Sequence, residues 1–193
     1  IMDDADLRRG KKTIHEKWNT NVAILAGDAM LVKSYQYLNQ VDKGKLAQVL
    51  DVFSKTALQV CEGQQYDMNF ENSSSVSEED YLEMIRLKTA VLLGAALQIG
   101  ALIGQATNSQ ASARDQFGTN AGLAFQVQDD LLDDFGDPEK FGKKVGGDIL
   151  QDKKTLLMIY ARELAPVELK ALENGNLEGD AKVKAYQKFF IHC

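Results

Sequence analysis

Apolar side chains recur at every third or fourth position along most of this chain, and strict alternation of apolar and polar residues is rare. That spacing is typical of helices with one buried face. Only two prolines, Pro138 and Pro166, interrupt the pattern. The sequence therefore predicts an all-α fold. We expect helices over residues 21–39, 45–67, 78–105, 112–135, 150–164, 166–173 and 181–190.

Predicted helix 78–105 leads into a stretch, 89–113, that contains no charged side chain. A segment of that length could cross a bilayer. Gln98, Gln105 and Asn108 argue against this location, and the neighbouring segments have the polar faces of helices packed in a bundle. We therefore expect a buried core helix and no stable membrane insertion.

Length, charge and cysteine content narrow the choice of function. A chain of 193 residues is long enough for one ordinary domain, so we expect a single all-α domain over 1–193. The net charge of −6, without a polybasic run, argues against a nucleic-acid or anionic-membrane partner. Cys61 and Cys193 have no metal-ligand or redox spacing, which favours a reducing compartment, and we expect a cytoplasmic protein.

An acidic cluster near residue 130 is the clearest sign of chemistry. Five aspartates follow directly after an apolar stretch: Asp129, Asp130, Asp133, Asp134 and Asp137. In a helix, the four-residue spacing places Asp129 and Asp133 on one face, about one turn apart. Carboxylates at a helix C-terminus meet the negative end of the helix dipole, and a hard divalent cation would compensate for this. The spacing lacks the alternating ligands of an EF-hand loop.

A solvated helix end is the ordinary interpretation of an acidic run. Here, however, a basic and glycine-rich segment follows over 140–148, and then Lys153 and Lys154. Carboxylates suited to a metal ion are therefore close in sequence to cations suited to an anion. This combination favours a binding site over a solvated surface.

The acidic cluster is also part of a longer pattern over residues 122–133. Its characteristic positions are Gly122, Phe125, Gln126, Val127, Asp129, Asp130, Leu131 and Asp133. This segment resembles the second aspartate-rich motif of the trans-isoprenyl diphosphate synthases, also called polyprenyl synthetases. Further landmarks appear in the order of that family: Gly63-Gln64, Asp67, Lys88-Thr89, Gly142-Lys143, Gly147-Asp148 and Lys153.

Residues 1–10 are similar to the end of the family's first motif, Asp-Asp-x-x-Asp, and to the Arg-Arg-Gly that follows it. Asp3 would be the last aspartate of that motif, and the two leading aspartates would precede Ile1. We therefore expect a fragment that lacks the N-terminal helices and the C-terminal stretch of many members. We expect this fragment to be inactive alone. Lys12 replaces a proline that is common in the family, in a loop that we expect to tolerate it.

The resemblance implies an isoprenoid synthase-type helical bundle around a central active-site cavity, and a homodimer. It also implies a prenyltransferase that condenses isopentenyl diphosphate with an allylic diphosphate to give a longer trans-polyprenyl diphosphate and diphosphate. About three Mg²⁺ ions per active site would assist ionisation. Two alternatives stay open: a non-catalytic partner subunit of a heteromeric synthase, which would usually lose aspartates, and a terpene cyclase, which usually lacks the Arg8-Arg9 pair.

By the same resemblance, aspartates form the metal site. Asp3 and Asp129 would bind Mg²⁺ directly, whereas Asp130 and Asp133 would hold metal-bound water or orient the direct ligands. Asp67 would support the opposite motif from its own helix.

The resemblance also implies the substrate contacts. The cations that would bind the allylic diphosphate are Arg8, Lys88, Lys143 and Lys153. Arg9 would instead contact isopentenyl diphosphate, and Gln64 would also bind substrate. Thr89 and Gln126 would flank the forming carbocation, where an oxygen dipole stabilises positive charge without acting as a nucleophile. The released diphosphate would remove the proton that ends each condensation, so no protein base is required.

Overall fold

The computed structural model describes residues 1–2, 5–8, 10–137 and 145–193. Within these ranges the chain is helical apart from one pair of two-residue strands and the connecting loops, which confirms the predicted all-α class. The chain divides into two compact units, Ile1–Asp51 and Val52–Cys193. The expectation of one domain over 1–193 stays a prediction.

A short hairpin opens the first unit, and the sequence pattern did not predict it. Strand β1 (Leu7–Arg8) pairs antiparallel with β2 (Lys11–Lys12). Gly10 between them has a φ of 72°, a left-handed value that suits glycine. The Thr13 hydroxyl donates to the Ala5 carbonyl oxygen over 2.8 Å. That bond holds the two ends of the hairpin together.

Helices make up most of the remaining described chain. They are α1 (Ile14–Lys17), α2 (Thr20–Leu38), α3 (Lys43–Glu71), α4 (Glu78–Ile85), α5 (Val91–Ile103), α6 (Asn108–Phe135), α7 (Gly147–Leu150), α8 (Leu156–Leu164), α9 (Pro166–Glu173) and α10 (Gly179–His192). Predicted helices 21–39, 45–67 and 181–190 are present with shifted ends, and predicted helix 166–173 agrees at both ends.

Predicted helix 78–105 consists of three continuous segments. Helix α4 passes at Arg86–Ala90 into a π-helical turn and then into α5. The Ser77 hydroxyl oxygen caps the start of α4 by accepting from the Asp80 amide over 3.1 Å. By length and composition alone, Glu78–Ile103 could cross a membrane, a test that the core helix of a globular protein also passes.

Helices α5 and α6 pack against each other at very short range. Gly118 of α6 faces Gly94 of α5, and a Cβ added at Gly118 would lie 2.7 Å from the Gly94 Cα. Ala95 and Leu102 are also buried on α5, whereas Leu97 is exposed. The apolar helix therefore has one face buried in the second unit.

The single predicted helix 150–164 is wrong, because two helices, α7 and α8, occupy this region. The chain turns between them, and Asp152 adopts a left-handed φ of 53°. The Lys153 amide donates to the Asp148 carbonyl oxygen over 3.0 Å, which closes the turn. This turn brings the Lys153 side chain back toward α7.

Two clusters of buried apolar side chains stabilise the second unit. One joins α7, α8, α9 and α10 through Ile149, Met158, Ala161, Leu169, Val183 and Tyr186. The other joins α4 to α8 through Tyr81, Met84, Ile85 and Ile159. Met158 and Ile159 are adjacent on α8 but belong to different clusters, so α8 connects the C-terminal helices to α4.

Candidate active site

One cavity in the second unit is lined by α3, α4, the π-helical turn, α6 and the turn after α7. Six side chains that the sequence predicted as site residues meet on its wall: Asp67, Lys88, Thr89, Gln126, Asp130 and Lys153. Their helices are far apart in the sequence. The fold therefore places both carboxylates and ammonium groups around one space.

Helix α3 forms one side of this cavity because it crosses the π-helical turn without an intervening side chain. A Cβ added at Gly63 would lie 2.7 Å from the Lys88 Cα, so only glycine permits this approach. One turn later, Asp67 forms an ion pair with Lys88, with 2.6 Å between Oδ2 and Nζ. The π-helical turn, a rare form that is frequent at functional sites, thus presents Lys88 beside Asp67.

A series of hydrogen bonds runs along the cavity wall from Thr89 to Tyr81. Thr89 Oγ1 donates to Gln126 Oε1 over 3.1 Å, and Gln126 Nε2 donates to Asp130 Oδ1 over 2.9 Å. The Tyr81 hydroxyl donates to Asp130 Oδ2. Each oxygen of the Asp130 carboxylate therefore accepts from one donor. We call Thr89, Gln126, Asp130 and Tyr81 the polar chain.

Burial controls the protonation of two groups in the polar chain. Burial, followed by the adjacent charge of Asp130, raises the pKa of Tyr81, so its hydroxyl stays a donor near neutral pH. Burial also raises the pKa of Asp130, while the hydrogen bonds from Tyr81 and Gln126 oppose that rise. The two donors thus favour the ionised carboxylate against its desolvation.

Asp133 connects the end of α6 to the start of α7. The Asp148 amide donates to Asp133 Oδ2 over 2.8 Å, and the Gly146 amide donates to the Asp133 carbonyl oxygen over 2.6 Å. Asp148 in turn forms an ion pair with Lys153, with 3.0 Å between Oδ1 and Nζ. The acidic end of α6 is therefore linked to the basic turn after α7.

Asp134 differs from its acidic neighbours because its side chain is fully buried, at 1% exposure. No donor among the described residues reaches its Oδ1 atom. Burial raises the pKa of Asp134 to about 7, and the charges of Asp148, Asp133 and Asp130 contribute to the rise. Gln187 of α10 donates to the Asp134 carbonyl oxygen over 2.5 Å. The backbone is thus held while the carboxyl lacks a full set of partners.

Three predicted site residues have other locations in the second unit. Asp129 and Asp133 are half-buried on α6, and Gln64 is half-buried on α3. None of the three lines the cavity described above. Their roles in binding metal and substrate stay predictions.

Four further predicted residues belong to other parts of the chain. Arg8 is exposed on β1, in the first unit. Asp3, Arg9 and Lys143 lie outside the described residues. Their proposed contacts with metal or diphosphate therefore stay predictions as well.

Sequence reasoning missed several polar residues of the cavity wall, among them Tyr81 and Asp148. Tyr81 occupies an apolar face of α4 and packs in the cluster with α8, so its position is typical of a core residue. Asp148 could have been found, because Gly147-Asp148 already matched a family landmark. Lys154, which stands beside Lys153 among the cations that suit an anion, also lines the cavity.

The donor chemistry at the end of α6 fits Mg²⁺. This ion takes one or two protein carboxylates, keeps several waters and shares phosphate oxygens with its substrate. The nearby carboxylates are those of Asp129, Asp130, Asp133 and Asp148. Within the described ranges, no group of three or more His, Cys, Asp or Glu side chains could hold a metal ion. A cation at this place would therefore need further oxygen ligands, such as the waters and phosphate oxygens that Mg²⁺ takes.

Residues 1–190 match the family model described as polyprenyl synthetase. The chain is 44% identical over 162 residues to a short chain isoprenyl diphosphate synthase of Methanocaldococcus jannaschii, across 83% of this chain and 49% of that protein. It is 43% identical over 165 residues to a geranylgeranyl diphosphate synthase of Methanosarcina mazei, across 84% of this chain and 51% of that protein. The chain thus spans about half the length of these curated relatives.

Solved structures give the same result for the fold. A crystal structure of a geranylgeranyl pyrophosphate synthase matches with a TM-score of 0.90 at 46% identity, over 99% of this chain and 61% of that chain. The geranylgeranyl pyrophosphate synthetase from Pyrococcus horikoshii matches with a TM-score of 0.90 at 37% identity, over 99% and 60% of the two chains. The predicted isoprenoid synthase-type helical fold is thereby confirmed.

Proposed function

Because the chain belongs to the polyprenyl synthetase family, we propose that the whole protein is a prenyltransferase. Its substrates are isopentenyl diphosphate and an allylic diphosphate, and its products are a longer trans-polyprenyl diphosphate and inorganic diphosphate. One observation carries the proposal: a single cavity contains Lys88 and Lys153 together with the polar chain. Cations that suit a diphosphate thus lie beside oxygen dipoles that suit a carbocation.

The reaction separates charge within this cavity. The C–O bond of the allylic diphosphate breaks, its electron pair leaves with the diphosphate, and an allylic carbocation remains. The double bond of isopentenyl diphosphate then forms the new C–C bond with that cation. Loss of a proton to the released diphosphate restores a double bond in the longer product. The protein therefore acts by binding, charge and exclusion of water.

Lys88 and Lys153 bind the departing diphosphate. Each ammonium group lies beside one carboxylate, Asp67 at 2.6 Å and Asp148 at 3.0 Å, and these partners hold the lysines at the cavity before substrate arrives. Positive charge that is already in position stabilises the negative charge that develops on the leaving group. Arg8 and Lys143 bind the same diphosphate, an assignment supported by the family relation.

Thr89 and Gln126 contact the carbon end of the allylic substrate. Thr89 donates its hydroxyl proton to Gln126 Oε1, so its own oxygen lone pairs remain available to the cation. Met84 and Ile85 supply the apolar part of the same wall. Apolar surroundings exclude the water that would otherwise convert the cation to an alcohol.

When bound, Mg²⁺ supplies Lewis-acid charge to the phosphate oxygens of the leaving group. Asp129 and Asp3 would hold it directly, and Asp130 and Asp133 would orient the groups around it. Asp67 supports the arrangement from α3 through its ion pair with Lys88.

Isopentenyl diphosphate takes Arg9 as its diphosphate partner, and Gln64 also binds substrate. We further propose a cytoplasmic homodimer. Helix α2 supports the dimer, because it contains no buried residue and exposes many large apolar side chains. They include Val22, Ile24, Leu25, Met30, Leu31 and Val32.

Product sizing tests the proposed function. The whole protein is incubated with labelled isopentenyl diphosphate, Mg²⁺ and dimethylallyl, geranyl or farnesyl diphosphate in turn. We expect Mg²⁺-dependent products that exceed the primer by whole isoprene units. Lys88→Ala should lower the rate by at least about 100-fold, whereas Lys170→Ala, at an exposed lysine on α9, should leave it unchanged. If none of the three primers is extended, the proposal is contradicted.

A further inference from the structure

Tyr81 contacts the cavity but has no part in the reaction described above. Its side chain is 3% exposed, and its ring packs with Met84, Ile85 and Ile159. A phenylalanine could supply the same packing. The hydroxyl, which donates to Asp130, therefore requires an explanation of its own.

Each hydrogen bond of the polar chain determines which group the next residue presents. Asp130 Oδ1 accepts from Gln126 Nε2 over 2.9 Å, so Gln126 presents its amino group to Asp130. The Gln126 carbonyl oxygen then faces Thr89, which donates its hydroxyl proton to that oxygen. The orientation of both groups thus depends on how the Asp130 carboxylate is held.

We propose that Tyr81 is a positioning residue whose hydroxyl holds Asp130 Oδ2, so that Asp130 Oδ1 keeps Gln126 and, through it, Thr89 oriented toward the allylic cation. The inference rests on the proposed function. Without the hydroxyl, the carboxylate loses one of its two donors and gains freedom to rotate. Gln126 can then turn its amide and direct an N–H group, with its partial positive charge, toward the cation.

Tyr81→Phe tests this role with little change in packing. Because the polar chain acts on the carbocation, the single-turnover condensation rate of the whole protein should fall by about tenfold. The KM for isopentenyl diphosphate should stay within about twofold, because that substrate binds elsewhere. Tyr160→Phe is the matched control, since Tyr160 also donates to a carboxylate, Glu78, but on the exposed surface of α8. It should change neither quantity.

A double-variant cycle separates positioning from a local packing defect. Tyr81 is connected to Thr89 through Asp130 and Gln126. If Tyr81 acts through this chain, Tyr81→Phe should slow the Thr89→Val variant by about threefold or less. Two results would overturn the inference. One is an unchanged single-turnover rate in Tyr81→Phe, and the other is a double variant whose rate falls by the product of the two single-variant decreases.

Thermal unfolding provides a second cycle that does not require activity. The Tm is measured for the wild type, Tyr81→Phe, Thr89→Val and the double variant. The double variant should lower the Tm by clearly less than the sum of the two single changes. Additive changes would overturn the inference. If the wild type extends no primer, the proposed function fails, and this cycle alone decides whether Tyr81 positions the polar chain.

Discussion

Asp130 and Asp134 lie one turn apart on α6, with Asp130 half-buried at the cavity and Asp134 fully buried. Tyr81 and Gln126 each donate to one oxygen of Asp130. At Asp134, no donor in the described parts of the chain reaches Oδ1. Burial raises the pKa of both carboxyl groups. The two carboxyl groups therefore differ in their hydrogen-bond partners as well as in their exposure.

This difference separates two consequences of burying an acid. Donors favour the charged form of Asp130 at the cavity against its desolvation and fix the direction of its carboxylate. A buried polar group without a partner, as at Asp134, costs about 1–3 kcal/mol of stability. We therefore expect substitution of Asp130 to damage activity and substitution of Asp134 to increase stability.

Asp130→Ala should have the largest effect. Turnover should fall by at least about 1,000-fold, because the variant loses a metal-site carboxylate and the acceptor of Gln126. The free energy of unfolding should also fall by about 2 kcal/mol, since the Tyr81 hydroxyl is left buried without its acceptor. Steady-state assays and thermal unfolding measure the two effects. Glu168→Ala, at an exposed carboxylate on α9, is the control, and turnover within tenfold of wild type would remove Asp130 from the site.

Asp134→Leu should change the protein in the opposite direction. The free energy of unfolding at pH 8 should rise by about 2 kcal/mol, because an apolar side chain of similar size replaces a buried carboxylate without a full set of donors. Turnover should stay within about twofold. Asp134→Asn retains a polar group at the same place, so its free energy of unfolding should rise by less than that of Asp134→Leu. A lower Tm for Asp134→Leu would show that Asp134 makes a stabilising contact.

The difference in stability between the wild type and Asp134→Leu should depend on pH. Its pKa is raised to about 7 in the folded protein, so the folded state retains a proton that the unfolded chain releases from about pH 4 upward. Wild-type stability should therefore decrease, relative to Asp134→Leu, as the pH rises from about 4 to about 7. Tm values of both proteins in metal-free buffer between pH 4.5 and 8 measure this. A constant Tm difference across that range would contradict it.

Gln187→Leu should have the smallest effect. Its amino group donates to the Asp134 carbonyl oxygen over 2.5 Å, so the loss should lower the free energy of unfolding by about 1 kcal/mol. Because the bond reaches the backbone, the decrease should be the same in the Asp134→Leu background. A double-variant cycle by thermal unfolding measures this, and strong coupling would show that Gln187 also supports the Asp134 side chain.

Much of the fold and part of the site could be predicted because they depend on local patterns. Helical periodicity and the scarcity of proline correctly indicated an all-α chain. The sequence landmarks identified several residues that meet at one cavity, among them Lys88, Gln126 and Asp130. The proposed chemistry requires particular residue types at these positions, so a resemblance in sequence could indicate residues that meet in the fold.

The rest could not be predicted because it depends on tertiary surroundings. Tyr81 on an apolar face looks like a core residue, and its acceptor Asp130 is 49 positions away. Asp134 looks like one more acid in an exposed run, and only the packed fold shows that it is buried. The early start of α6 depends on a capping box between Thr107 and Gln110, a polar pair that precedes the apolar pattern.

The crossing at Gly63 has a consequence for how this site can diverge in evolution. Contact between two backbones sets the separation of α3 from the π-helical turn that contains Lys88, whereas Asp67 holds the Lys88 ammonium group. Substitutions along α3 and α4 could accumulate, and the substrates accepted could drift, while the separation between these two segments stayed the same. The absence of a Cβ atom at Gly63 would then keep the distance between α3 and the π-helical turn constant while the surrounding sequence varies.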